Sequence, residues 1–535
     1  MKIALCQINP ILGNFNHNYE KILEFYKNSI ELNADLIVFP ELAICGYPPQ
    51  DLIWEDGFID SNLEVISQIA SFSNIPVILG YIRKDVNYYY NSAAVCYDGK
   101  LQYYVDKILL PTYDVFDENR YFNKGEKPKV IPVPYKEKKI NVGVQICEDL
   151  WDKNYSCKVS KIQMEMGAEI ILNISASPYH VNRFRHRKNI ILEKIRDISL
   201  PFVYCNMVGA QDELIFDGQS VAFSSNGKLI NRGKAFEEEV IIVDFNSKKE
   251  IKICQNSEQE NMYNALTLGV KDYYTKTGHS DAVIGLSGGI DSALVTSIAV
   301  NALGADRVHA ISLPSKYSSD HSLKDAKQLA KNFGIDYRVI PIQESVDALE
   351  SALHPFFIGT NPNVAEENIQ ARVRGNILMA ISNKFGWMVL STGNKTEIAL
   401  GYCTLYGDMS GGLSVISDLS KEDVYALSNW ININKNQKIP ENILKKEPSA
   451  ELAPNQIDPF EYDLISPLVD DIIEKRKSPK ELIESGLNKN LVYDIYNRIM
   501  LNEYKRRQSA PGLRLKPKAF GMGRRFPIIN QFNLK

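Results

Sequence analysis

Short apolar runs rich in β-branched side chains recur along the first part of the chain, at residues 3–8, 36–39, 77–81, 93–97, 140–146, 170–174, 202–206, 220–224 and 240–245. Their length and composition predict buried strands. Apolar residues return at helical spacing over 18–32 and 62–72, which predicts two helices. Asn226-Gly227 falls between two strand-like runs and predicts a hairpin turn. This mixture points to a strand-rich α/β layer sandwich rather than a plain βαβ series.

Residues 246–259 are polar and charged, with Lys248, Lys249 and Lys252, and read as the connection to a second domain. A helix is expected over 260–275. The rhythm then changes: strand 282–286, a Gly loop, a helix from Asp291, strand 308–313, helix 322–333, strand 337–341, helix 369–384 and strand 387–391. Alternating strands and helices predict a doubly wound parallel sheet. The expected domains are 1–248 and 249–535. Neither an internal repeat nor a low-complexity tract is visible.

Composition narrows the function. The chain has 535 residues and a net charge of −4, with 61 Lys+Arg against 65 Asp+Glu. That balance gives no electrostatic reason to expect a nucleic-acid or membrane partner. Its eight cysteines contain no CxxC pair, which fits a reducing, cytoplasmic setting. The N-terminal apolar run is too short for a signal peptide, and no segment approaches a bilayer span.

The first chemical signal is Gly285-Leu286-Ser287-Gly288-Gly289-Ile290-Asp291-Ser292, where a strand passes through a turn into a helix. Gly288 and Gly289 let the backbone approach a phosphate, and the helix N-terminus offers unpaired N–H groups. Ser287 and Ser292 add hydroxyl donors. Asp291 makes sense there as a ligand to a phosphate-bound Mg²⁺. The loop lacks a Walker A lysine, which fits a site holding pyrophosphate as a leaving group. It resembles the N-type ATP-pyrophosphatase superfamily, whose sheet is of the adenine nucleotide alpha hydrolase-like kind.

A second segment, Thr392-Gly-Asn-Lys-Thr-Glu397 followed by Tyr406-Gly-Asp408, lies where a parallel strand ends. It is similar to the pattern of NAD synthetases. The resemblance implies that Thr392, Lys421 and Ser449 contact ATP. It also implies that Asn368, Arg372, Glu397 and Lys505 contact deamido-NAD⁺, and that Glu397 joins Asp291 in holding Mg²⁺. Two positions depart from the smaller ammonia-dependent synthetases: Leu405 stands in place of a substrate-binding Lys, and Gly412 in place of an Asp. The basic residues between Lys505 and Arg525 read as a substrate- or subunit-facing stretch, or as a solvated tail.

In the first half, Glu41 follows one strand, Lys107 lies ahead of Phe116-Asp-Glu-Asn-Arg-Tyr121, and Cys147 follows another strand. Singly, these read as two surface charges and a small core residue. Jointly they supply a chemistry. A thiol needs deprotonation to attack. A carboxylate can take that proton and return it to leaving ammonia. A lysine ammonium favours the thiolate and stabilises an oxyanion. Glu148 and Asp149 would by themselves oppose a thiolate, which makes Lys107 important. The three contexts closely resemble the nitrilase superfamily, an αββα sandwich. The resemblance adds Glu118 near the site and implies that Tyr113, Glu118, Ser177 and Arg183 bind glutamine.

Joined, the halves resemble the glutamine-dependent NAD⁺ synthetase family along essentially the whole chain. The substrates implied are L-glutamine, ATP and deamido-NAD⁺, with Mg²⁺. The family further implies a homo-oligomer, commonly an octamer, in which ammonia passes through a shielded tunnel. Two rivals compete: an amidotransferase on the same loop with xanthylate or aspartate as acceptor, and a nucleotide-sensing protein without turnover. The Thr392–Glu397 segment and the nitrilase-type donor oppose the first. Cys147, Glu41, Lys107 and Asp291 together oppose the second.

Overall fold

A computed structural model of the chain describes residues 1–247, 256–436, 438–454 and 456–532. The chain forms two compact units, Met1–Asn256 and Ser257–Lys535. The polar connection expected at 246–259 falls largely on residues 248–255, so Lys248, Lys249 and Lys252 lie outside the described residues.

The first unit holds two six-stranded sheets. One runs in the order Glu239–Asp244, Lys2–Gln7, Leu36–Val38, Val77–Asp85, Tyr88–Tyr97, Lys100–Asp106. The other runs Leu229–Arg232, Val221–Phe223, Phe202–Asn206, Ile170–Ser175, Lys138–Ile146, Val130–Tyr135. The centre of each is parallel, with Ile3 opposite Leu36 and Val144 opposite Leu172, and the flanks are antiparallel. Because side chains alternate across a strand, Ile3, Leu5, Val38, Val144, Leu172 and Val203 meet between the sheets. The intervening Ala4, Cys6 and Ile37 face the helices Phe15–Glu31 and Phe58–Phe72. On the second sheet, Ile171, Phe202 and Tyr204 receive Ile191 and Ile195 of the helix Arg183–Ile198. The result is an αββα sandwich. Every predicted strand run overlaps an observed strand, and the Asn226-Gly227 turn joins Val221–Phe223 to Leu229–Arg232 with Gly227 at φ +80°.

The second unit is built on a five-stranded, wholly parallel sheet: Asp336–Val339, Val308–Ser312, Ala282–Gly285, Met388–Ser391, Leu413–Ser414. From Ala282–Gly285 the chain moves outward through Ile290–Leu303 to Val308–Ser312 and on to Asp336–Val339. It then returns to the other side of the first strand through Gln343–Phe357 and Val364–Phe385. Right-handed crossovers therefore place the two helix sets on opposite faces. The returning helices cover Val283, Ile311 and Val389 with Val346, Ile369 and Val373. Strand order reverses between Ala282–Gly285 and Met388–Ser391, and such a switch point opens a crevice at the strand ends.

The C-terminal helices Tyr462–Ile473 and Lys489–Leu501 pack Ile465, Leu468, Val492 and Ile495 against Ala399 and Leu400. The basic stretch is bound into this unit: Arg506 and Arg524 both pair with Glu503, and Lys516 pairs with Asp423. The described cysteines are free thiols, while Cys254 lies outside the described residues. No described helix is long and apolar enough to cross a membrane.

Candidate active sites

In the second unit a cavity of about 320 Å³ opens at the switch point, lined by Gly285 through Ser292 and by Thr392, Glu397, Lys421 and Ser449. Gly288 adopts φ +82°, and a Cβ there would lie 2.3 Å from the Ser322 carbonyl oxygen. Only glycine allows this turn and this approach. Ser287 Oγ accepts from the Gly289 N–H at 3.2 Å, and Ser292 Oγ lies 3.2 Å from Ser287 Oγ.

Asp291 faces a polar trio. Its Oδ1 accepts from Asn394 Nδ2 at 3.0 Å and its Oδ2 from Lys421 Nζ at 2.5 Å. Asn394 is also the N-cap of the helix Lys395–Leu400. It accepts from the Glu397 N–H, while Glu397 Oε2 accepts from the Asn394 N–H, a reciprocal capping box. Glu397 Oε1 lies 3.7 Å from Lys421 Nζ. Burial, with Asp291 adding to it and Lys421 opposing, pushes the Glu397 carboxyl up to about 8. Lys421, despite burial, is held above its ordinary range by Asp291 and Glu397. Asp458 Oδ1, also at the cavity, is buried without a hydrogen-bond partner among the described residues.

The remaining sequence-predicted residues cluster beside the cavity rather than lining it. Asn368 Oδ1 accepts from Thr404 Oγ1 at 2.6 Å, and Arg372 Nε donates to the Leu405 carbonyl at 3.3 Å. Lys505 Nζ donates to the carbonyls of Gly401 and Cys403, both at 2.7 Å. All three therefore fasten residues 401–405. At Gly412 a Cβ would lie 2.7 Å from Met388 Cγ, so the turn is packed shut against the sheet.

In the first unit three chain segments meet around Cys147. Lys107 Nζ, wholly buried, donates to Glu41 Oε1 at 2.7 Å and Glu118 Oε1 at 2.8 Å. Glu41 also accepts from Asn91 Nδ2 at 2.7 Å and from the Ala176 N–H at 2.8 Å. Tyr47 OH donates to Glu118 at 2.9 Å. Gly80 makes room for this: a Cβ there would sit 2.0 Å from the Leu42 nitrogen and 2.6 Å from Glu41 Cα. Cys147 opens a tight turn after Lys138–Ile146 with φ +43°, a strained conformation of the kind found at functional sites.

Burial pushes the Cys147 thiol well up, Glu41 pushes it further, and Lys107 pulls it down. Burial also lifts Glu118 to about 7 against the pull of Lys107. Asp149 accepts N–H bonds from Ile108, Leu109 and Ile146, so it ties the Lys107 segment to the Cys147 turn. Glu148 is held by the hydroxyls of Tyr113 and Tyr155 at 3.0 Å. Arg183 donates to Ser177 Oγ at 2.9 Å and stacks over Trp151. A cation and an anion thus both act on the thiol. Sequence reasoning passed over Asn91, Tyr47, Tyr155 and Asn394. Of these only Asn394 carried a local signal, as the N-cap three residues before Glu397.

Comparison with known proteins agrees with these two units. Residues 2–252 match the carbon-nitrogen hydrolase family and residues 262–509 the NAD synthase family. A glutamine-dependent NAD(+) synthetase of Thermotoga maritima is 40% identical over 576 residues, covering 99% of both chains. One of Synechocystis is 41% identical over 556 residues, again covering 99% of each. A solved glutamine-dependent NAD+ synthetase from Acinetobacter baumannii, in complex with adenosine diphosphate, superposes with a TM-score of 0.79 at 36% identity. It covers 99% of this chain and 98% of its own. The molecule thus joins a carbon-nitrogen hydrolase to an NAD synthase. The chain belongs to the glutamine-dependent NAD(+) synthetase family.

Proposed function

We propose that this enzyme is a ligase that amidates deamido-NAD⁺ to NAD⁺, using ATP and ammonia released from L-glutamine. The glutaminase domain is assigned to 1–248 and the synthetase domain to 249–535. The reading rests above all on the buried Glu41–Lys107 pair, 2.7 Å apart and acting electrostatically on the Cys147 thiol.

In the first domain Cys147 Sγ attacks the glutamine amide carbon while Glu41 takes the thiol proton. Lys107 stabilises the oxyanion. Ammonia leaves with that proton, and water hydrolyses the glutamyl thioester to glutamate. Glu118 steadies Lys107. Arg183 and Ser177 bind the glutamine carboxylate, and Tyr113 lies alongside.

In the second domain the nicotinate carboxylate of deamido-NAD⁺ attacks the α-phosphorus of ATP, and pyrophosphate departs. Ammonia then attacks the acyl carbon of the adenylate and AMP leaves. Residues 285–292 with Thr392, Lys421 and Ser449 hold ATP. Asn368, Arg372, Glu397 and Lys505 serve the deamido-NAD⁺ side, the first two and Lys505 by shaping 401–405. Asp291 and Glu397 would hold a Mg²⁺ only together with phosphate oxygens, since no cluster of three or more metal-ligating side chains exists among the described residues; the unpartnered Asp458 Oδ1 is the further oxygen at this cavity. Bound there, Mg²⁺ would neutralise phosphate charge. The enzyme is taken to be cytoplasmic and a homo-oligomer, an octamer by resemblance, which light scattering tests.

The deciding experiment compares glutamine with ammonia as nitrogen source in the presence of deamido-NAD⁺ and ATP. NAD⁺, AMP and pyrophosphate should form from both. Turnover with xanthylate or aspartate in place of deamido-NAD⁺ would overturn the assignment.

A further inference from the structure

We infer that Lys446 is a pyrophosphate-binding residue of the adenylation site, held over the phosphate loop by Glu451. The inference rests on the proposed reaction and concerns its leaving group.

Lys446 lines the switch-point cavity. Its Nζ donates to Ser322 Oγ and to Glu451 Oε1, both at 2.6 Å. Ser322 is the residue whose carbonyl packs against Gly288, so Lys446 stands beside the glycines that would cradle phosphate. Its side chain remains 31% exposed, so the ammonium keeps a solvent-facing side. An ammonium has three donors, and the two bonds shown leave one for an incoming oxygen.

Charge explains the need. Pyrophosphate departs with several negative charges. Lys421 is engaged by Asp291 and Glu397. Arg374, also at the cavity, turns its Nε to the Leu313 carbonyl. Lys446 is the cation next to Gly288 and Ser322.

Glu451 is the positioning residue. Its carboxylate accepts from Ser319 N–H at 3.2 Å, Ser319 Oγ at 2.9 Å and Ser322 Oγ at 2.8 Å. It is thereby pinned at the start of the helix Asp320–Phe333. These donors, with Lys446, hold its carboxyl below the usual range despite burial. Glu451 thereby ties the segment from Lys446 to Glu451 to the start of that helix, and the Tyr425 hydroxyl and the Asp458 N–H hold the carbonyls of Lys446 and Pro448.

The test measures ATP affinity and inhibition by inorganic pyrophosphate during ammonia-driven synthesis, in wild type, K446M, K446R and E451Q. K446M should weaken both by about tenfold or more, the worth of one charge-assisted hydrogen bond. K446R should recover part of that loss because it restores charge. E451Q should weaken both less than K446M, since the lysine is loosened rather than removed. If wild type responds to pyrophosphate and K446M stays within about twofold of it, the role of Lys446 is overturned. A K446R variant no better than K446M likewise argues against a charge role. A wild type that forms no AMP from ATP overturns the proposed reaction itself, and this inference with it.

Discussion

At the scale of single residues, the two sites separate cleanly. Cys147→Ala should abolish glutamine-driven synthesis yet keep synthesis from added ammonia, assayed as NAD⁺ formed from each source. Asp291→Ala should stop synthesis from either source while leaving glutamate release intact. Glu118 makes a different kind of prediction. Burial raises its carboxyl from 4.5 to about 7. Between those values the folded chain keeps a proton that the unfolded chain has lost. The group therefore contributes stability that is complete below about pH 4.5 and lost as pH rises through about 7. Glu118→Gln should flatten that decline, read as a smaller drop in the melting midpoint of the first unit between about pH 5 and pH 7.5. Sequence alone named Glu41, Lys107, Cys147 and Asp291, because each sits at a strand end or in a dense motif. It could not place Asn91 or Tyr47, which reach Glu41 and Glu118 from segments distant in sequence. It treated Glu148 and Asp149 alike as opponents of the thiolate. Glu148 is among the groups that raise the Cys147 thiol, while Asp149 also accepts three backbone N–H bonds that fix the turn.

At the scale of elements, legibility followed the clarity of the hydrophobic pattern. The buried strands and the parallel-sheet strands were readable as apolar runs. The helix Arg183–Ile198 was not, because Arg183, Arg185, Arg187, Lys188, Lys194 and Arg196 interrupt it and only one stripe is apolar. Arg187 is nonetheless fully buried, paired with Asp217 at 2.8 Å. The strands Val208–Gln211 and Leu214–Asp217 are four residues each, too short for periodicity to show. Glycine at 80 belongs to this scale, because it sets how closely Val77–Asp85 approaches the Glu41 turn. Gly80→Ala should destabilise the first unit by roughly 2 kcal/mol or more through overpacking. It should also cut glutaminase turnover while ammonia-driven synthesis survives, which calorimetry and the two nitrogen sources would report.

At the scale of the whole molecule, each unit has its own sheets and its own core clusters. Residues 1–256 and 257–535 made as separate chains should each fold. The first should release glutamate from glutamine. The second should make NAD⁺ from ammonia, and a mixture of the two should not restore efficient use of glutamine. Recovery of full glutamine-driven synthesis on mixing would show that covalent linkage is dispensable.

The closed turn at Gly412 bears on how such enzymes can change. An acidic residue there requires Met388 to give way. Its first carbon would collide with Met388 on the neighbouring strand. Met388 must turn to another rotamer or be shortened, at the expense of its present packing against the sheet. The two positions are thus coupled: what a side chain at 412 costs depends on what stands at 388, so substitutions at the pair should not add in stability.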